Sequence, residues 1–104
     1  MKIQWSPLAI DRVGTIADYI AQDDPFAAEK WVRAVFDRVK QVKDFSKSGR
    51  YVPEIRRKDI RELIYGNYRI IYRIEKSRVS ILTVRHVRQI LPVDDIHNTW
   101  QRQT

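Results

Sequence analysis

Arg61-Glu62-Leu63-Ile64-Tyr65-Gly66-Asn67-Tyr68-Arg69-Ile70-Ile71-Tyr72-Arg73-Ile74 decides the fold of this chain. Two runs rich in β-branched and aromatic residues flank Gly66-Asn67, the two-residue loop chemistry that closes a tight antiparallel hairpin. Gly66 takes a positive φ at the first loop position without steric cost, and Asn67 suits the second. With those two residues as the loop, Tyr65 sits opposite Tyr68, Ile64 opposite Arg69 and Glu62 opposite Ile71. Alternation then places Leu63, Tyr65, Tyr68, Ile70, Tyr72 and Ile74 on one apolar face. The second face carries Ile60, Glu62, Ile64, Arg69, Ile71 and Arg73.

A third strand follows over about 78–88, across a short turn at Lys76-Ser77. Carrying the register onward pairs Ile74 with Val79, Ile71 with Leu82 and Arg69 with Val84. Ser80, Leu82, Val84, His86 and Arg88 then share the second face, with Arg85 on the first. Arg69, His86 and Arg88 are thus expected to gather at one end of that mixed face. A one-residue slip would move His86 to the other side. Glu62 lies diagonal to both Arg69 and Arg73, so ordinary cross-strand ion pairs are the structural alternative.

Upstream, Lys2 to Trp5 reads as a short strand. Ser6-Pro7 and Asp24-Pro25 both pair an N-cap with a first-turn proline. Ala9, Val13, Ile16, Ala17 and Ile20 recur at helical spacing, weakened by about 1 kcal/mol at Gly14. Ala28, Trp31, Val32, Val35, Val39 and Val42 form the stripe of a second, longer helix. Glu29 with Arg33 and Lys40 with Asp44 are spaced for ion pairs on its wet side. Trp31 and Phe36 read as packing residues. So short a link between the helices implies a helical hairpin. From Ser46 to Asp59 periodicity vanishes, and this loop ends in the basic run Arg56-Arg57-Lys58.

The chain has 104 residues, enough for one domain with its own core. It has no cysteine, which excludes disulfides, thiolate metal sites and cysteine nucleophiles. Met1-Lys2-Ile3-Gln4-Trp5 lacks a signal-peptide core and no run approaches a membrane span, so a cytoplasmic setting is expected. Twenty basic against 13 acidic residues give a formal net charge of +7, a field that favours polyanions and acidic proteins. No phosphate loop or nucleophile elbow is present. His86 and His97 are the only histidines. Asp94-Asp95 with His97 reads as solvated tail chemistry, so no metal and no cofactor is expected.

The order of elements resembles the RelE/ParE superfamily of bacterial toxins. The resemblance is carried by Ile3-Gln4-Trp5-Ser6-Pro7-Leu8-Ala9, Ala27-Ala28-Glu29-Lys30, Gly49-Arg50-Tyr51-Val52-Pro53-Glu54, the Asn67–Ile74 hairpin strand and Val84-Arg85-His86-Val87-Arg88. It implies an α+β fold, a small antiparallel sheet packed on an N-terminal helical hairpin, over residues 1–91, with a polar tail at 92–104. It also implies a toxin that forms a hetero-oligomer with a cognate acidic antitoxin. RelE-like members cut messenger RNA on the ribosome. Arg69 matches the hairpin arginine of their catalytic set, and Arg88 or His86 roughly its last-strand position. Those members carry lysines on the strand before the hairpin and often a late tyrosine; here Ile60 and Glu62 stand instead, and no tyrosine follows Tyr72. ParE-like members bind DNA gyrase and trap its cleaved-DNA complex. The resemblance is closer to this branch. Under that reading no catalytic residue is needed, and Arg56, Arg57, Lys58, Arg69, Arg73 and Arg88 are candidates for contacting target or antitoxin.

Overall fold

Three turn-forming positions organise the chain, and each behaves as its chemistry dictates. The structure, a computed structural model, describes residues 1–88. Gly66 has φ +55° and, among the described residues, no non-glycine residue has positive φ, so the hairpin turn carries the φ signs of type II′ rather than I′. Ser6 caps α1 (Pro7–Ala21), its hydroxyl accepting from Ala9 N–H at 3.0 Å. Asp24 caps α2 (Pro25–Asp44), accepting from Phe26 N–H at 3.0 Å and Ala27 N–H at 3.2 Å. The helices fold back on one another.

The strands are β1 (Lys2–Trp5), β2 (Arg50–Tyr51), β3 (Ile60–Tyr65), β4 (Tyr68–Ile74) and β5 (Arg78–His86), in the spatial order β1-β5-β4-β3-β2. β2 to β5 are antiparallel to their neighbours; β1 adds to β5 in parallel. This is the expected α+β architecture, with a mixed five-stranded sheet. The β3–β4 register is the one the turn predicts: Tyr65 faces Tyr68, Ile64 faces Arg69 and Glu62 faces Ile71.

All six residues assigned to the apolar face pack on the helices, with Val35, Val39 and Val42 of α2 fully buried against them. Each such side chain contributes about 1.5–3 kcal/mol of transfer free energy. Trp31 meets Tyr68 edge-on at 5.0 Å and Phe36 meets Trp5 at 4.5 Å, so both aromatics are core packing. On the outer side of α2, Glu29 and Arg33 pair at 2.6 Å. Lys40 reaches back to Asp37 at 3.1 Å instead of forward to Asp44.

Two features depart from expectation. The first is a β-bulge in β5. Ile74 faces Val79 and Tyr72 faces Ile81, but Ile71 faces Thr83, so Leu82 is the extra residue. Beyond it the register moves by one, bringing Arg85 opposite Arg69 and His86 opposite Tyr68. His86 therefore lies on the helix side, and Val84 joins the main core. The Lys76-Ser77 turn itself is as expected; the slip arises inside the strand. The second is the loop from Ser46 to Asp59. It folds over the second face, where Val52 and Ile55 pack on Ile60, Ile71 and Leu82 in a separate small core. The tail at 92–104 lies outside the described residues.

Candidate functional site

The loop over the second face brings Glu54 down on Arg69, at mid-sheet on β4. Arg69 donates through Nη1 and Nη2 to the two Glu54 oxygens, 2.7 Å each, and through Nε to Glu62 at 2.6 Å. The other Glu62 oxygen takes Arg50 Nε at 2.7 Å, because β2 pairs Arg50 directly opposite Glu62. Arg69 is 5% exposed and Glu62 1%, so these charges have left water and must be matched inside the protein. The bidentate bond from Glu54 above all, then Glu62, raises the guanidinium pKa above its ordinary value against the opposing effect of burial. Two arginines and two glutamates make a charge-balanced cluster.

A second knot ties the start of the same loop to Tyr72 of the helix-side face. Tyr72 Oη donates to Ser46 C=O at 2.7 Å and accepts from Gly49 N–H at 2.9 Å. Burial pushes the Tyr72 phenol up, against the Gly49 hydrogen bond. A Cβ on Gly49 would lie 2.5 Å from that phenol oxygen and 2.7 Å from Glu62 C=O, so glycine is required for the approach. Arg61 donates to the Lys47 and Gly49 carbonyls, 3.1 Å each, and lies over the Tyr51 ring at 4.4 Å.

The expected cluster of Arg69, His86 and Arg88 does not form. Arg69 is enclosed by carboxylates on one face. His86 is on the other, edge-on to Tyr68 at 5.5 Å, its Nδ1 accepting Arg88 N–H at 3.1 Å. The Arg88 side chain is exposed past the strand end. The bulge at Leu82 is the physical reason, since one extra residue inverts every side chain beyond it. Of the expected ion pairs, Glu62–Arg69 is present. Arg73 goes instead to Asp59 at 3.2 Å, beside the Arg57–Asp59 pair at 2.6 Å. Asp59 is burdened by burial, yet Arg57 and Arg73 hold its carboxyl below the usual range. Arg56 and Lys58 are exposed, while Arg57 is half-buried.

Sequence reasoning missed Glu54, Arg50 and Gly49 as members of this site. Their signal was Gly49-Arg50-Tyr51-Val52-Pro53-Glu54, a turn residue followed by alternating charged and apolar positions that a half-covered sheet face can use. The arrangement neutralises and locks; the two carboxylates on Arg69, Glu62 buried and Glu54 partly exposed, oppose entry of a phosphate there. Among the described residues no group of three or more His, Cys, Asp or Glu could hold a metal ion, and no helix is long and apolar enough to cross a membrane.

A fold of this kind, a helical hairpin on a five-stranded sheet, is shared with a solved chain described as "Chromosomal ParDE TA system from P. aeruginosa". The TM-score is 0.70 at 21% identity, over 83% of this chain and 95% of that one. Residues 3–91 match the family described as ParE toxin of type II toxin-antitoxin system, parDE. A relative from Sinorhizobium fredii (strain NBRC 101917 / NGR234), named "Putative toxin Y4kP", is 38% identical over 93 residues, covering 88% of this chain and 93% of its own length. The chain belongs to the ParE toxin family of type II toxin–antitoxin systems.

Proposed function

We propose that this ParE-type toxin acts by engaging DNA gyrase and trapping its cleaved-DNA complex, and that a cognate acidic antitoxin neutralises it. The observation that carries the reading is the enclosure of Arg69 by Glu54 and Glu62. The arginine that a ribonuclease of this superfamily would turn toward RNA is here spent on two carboxylates. His86, the one acid–base candidate in the last strand, stands on the opposite face. What remains for recognition is surface. Arg56, Lys58 and Arg88 are exposed, and a net charge of +7 favours an acidic partner.

Purified protein is expected to convert gyrase-bound supercoiled plasmid to linear, cleaved DNA in the presence of ATP. Supercoiling left untouched at saturating toxin, together with cleavage of ribosome-bound message, would replace this reading with the RelE-like nuclease. Addition of the acidic product of the neighbouring reading frame should abolish the effect on gyrase.

A further inference from the structure

The loop from Ser46 to Asp59 turns around the β2 edge of the sheet, and there it gathers positive charge about one aromatic ring. Tyr51 stands opposite Arg61 in the β2–β3 ladder. The Arg61 guanidinium lies over the Tyr51 ring at 4.4 Å, and its Nη2 donates to Tyr51 Oη at 3.3 Å. One side of the ring is thereby covered, yet Tyr51 remains 54% exposed. The same guanidinium donates to the carbonyls of Lys47 at 3.1 Å and Lys58 at 3.4 Å, so the two ends of the loop meet beside the ring. Next to them opens a hollow of about 410 Å³, lined by Tyr51, Pro53, Ile55, Arg56 and Lys58. We infer that this edge is a binding surface for single-stranded DNA: a base stacks on Tyr51 while Lys47, Arg56 and Lys58 hold the neighbouring phosphates.

Three observations carry the assignment. The first is charge. Between Ser46 and Lys58 the chain has five basic residues and one acid, Glu54, which is committed to Arg69. Asp59, the next acid, is held by Arg57 and Arg73. Lys47, Arg56 and Lys58 are exposed, and among the described residues their side chains enter no ion pair. The second is the ring. An acidic peptide needs only the cations, whereas an exposed aromatic held in place by a guanidinium offers a stacking platform to a ligand with a π-face. The third is shape. The platform sits on an irregular loop at a sheet edge, beside a hollow rather than a protruding helix, which suits an unpaired base and not the major groove of a duplex. The choice of DNA over RNA rests on the proposed action at the cleaved-DNA complex of gyrase, where broken strands leave bases free to unpair.

Fluorescence anisotropy on the full chain, without gyrase, tests the surface with a labelled oligothymidylate of about 12 nucleotides, within the span of a compact single-strand site. Binding is expected to be tighter than to a duplex of equal length, and oligouridylate should bind no more tightly. Tyr51→Ala should weaken binding by about five- to a hundredfold, the loss of one stacked base, while Tyr51→Phe should retain it. The logarithm of the association constant should fall against the logarithm of salt with a slope of about −2, for three phosphates at about 0.7 each. Arg56→Glu with Lys58→Glu should flatten that slope. Lys2→Glu with Lys76→Glu, an equal change of charge at exposed positions on β1 and the β4–β5 turn, should leave it in place. Absent binding, or binding indifferent to Tyr51→Ala, would overturn the inference. Tighter binding of oligouridylate would assign the surface to RNA, and tighter binding of an oligoglutamate peptide would assign it to an acidic protein. The plasmid assay reads the gyrase claim separately: cleavage without oligonucleotide binding removes only this surface, and oligonucleotide binding without cleavage removes only the gyrase reading.

Discussion

Arg69 and Glu54 face each other in a fork, two parallel hydrogen bonds of 2.7 Å joining the start of β4 to a loop fifteen positions earlier. Such charge-assisted pairs are strong in geometry but stabilise only while every member is present. Arg69→Ala strands Glu62 at 1% exposure, with Arg50 its remaining charged partner, and unpins Glu54. We expect a loss of about 3 kcal/mol in urea unfolding, toward the lower end of the range for breaking a buried pair, because Glu54 is partly exposed. At permissive temperature the folded fraction should keep its effect on gyrase. Unchanged stability with lost toxicity would assign Arg69 a direct role in target contact.

Two glycines should respond with opposite signs. Gly49→Ala drives a methyl to within 2.7 Å of the Glu62 carbonyl, a backbone atom that cannot step aside. The loop must lift, at a cost of about 1–3 kcal/mol. Gly14 is exposed in mid-α1 with nothing near its missing Cβ, so Gly14→Ala should add about 0.5–1 kcal/mol. Thermal unfolding of the two single variants reads both effects against the parent.

Acid should loosen the protein through two carboxyls. Burial works to raise Glu75, but Ser80 and Arg78 hydrogen bonds outweigh it and hold the group below 4.5. Asp59 is likewise held below 3.8 by Arg57 and Arg73 against burial. Both folded values are depressed, so their stabilisation is present above the unfolded values and drains away as pH falls through and below them. Stability should be flat near neutrality and drop below about pH 4.5. Glu75→Gln should reduce that acid slope; an identical slope would place the acid sensitivity elsewhere.

Antitoxin capture should depend on the exposed end of the basic loop. Arg56 and Lys58 face water, whereas Arg57 and Arg73 are committed to Asp59. Reversing two rim charges, Arg56→Glu with Lys58→Glu, should slow association with the acidic partner by about tenfold at low salt, with little change in dissociation. Arg57→Ala should act mainly on stability. Surface-based kinetics at two salt concentrations separate these outcomes.

Much of this molecule was legible because local chemistry and global pattern agree. Ser6-Pro7, Asp24-Pro25 and Gly66-Asn67 mark boundaries by backbone demands that hold whatever packs around them, and period-2 alternation fixes the β3–β4 faces. The bulge was not legible. Nothing in Ile81-Leu82-Thr83 distinguishes a strand with one residue too many, because the residue that accepts the irregularity is Ser6, far away in sequence. Nor was the lid. Val52, Glu54 and Ile55 sit in a stretch with no period, and their partners are set by the sheet face they cover. Both failures bear on the candidate site: the loop brings Glu54 onto Arg69, and the bulge in β5 carries His86 to the other face.

Ser6 gives the final prediction. Its hydroxyl accepts from Ala9 N–H at 3.0 Å while donating to Leu82 C=O at 2.9 Å, and its own N–H donates to Ile81 C=O at 3.0 Å. One fully buried side chain thus caps α1 and satisfies the carbonyl of the extra bulge residue. Ser6→Ala removes the cap, at about 1 kcal/mol, and leaves a buried carbonyl unmatched, at about 1–3 kcal/mol more. The expected total is well above that of the same change at the exposed cap Asp24, where water can replace the lost acceptor. Hydrogen exchange locates the damage: protection should fall at the start of α1 and around residues 81–84 together. Loss confined to α1 would mean that the bulge holds without Ser6, and that the sheet alone inverts the register beyond Leu82.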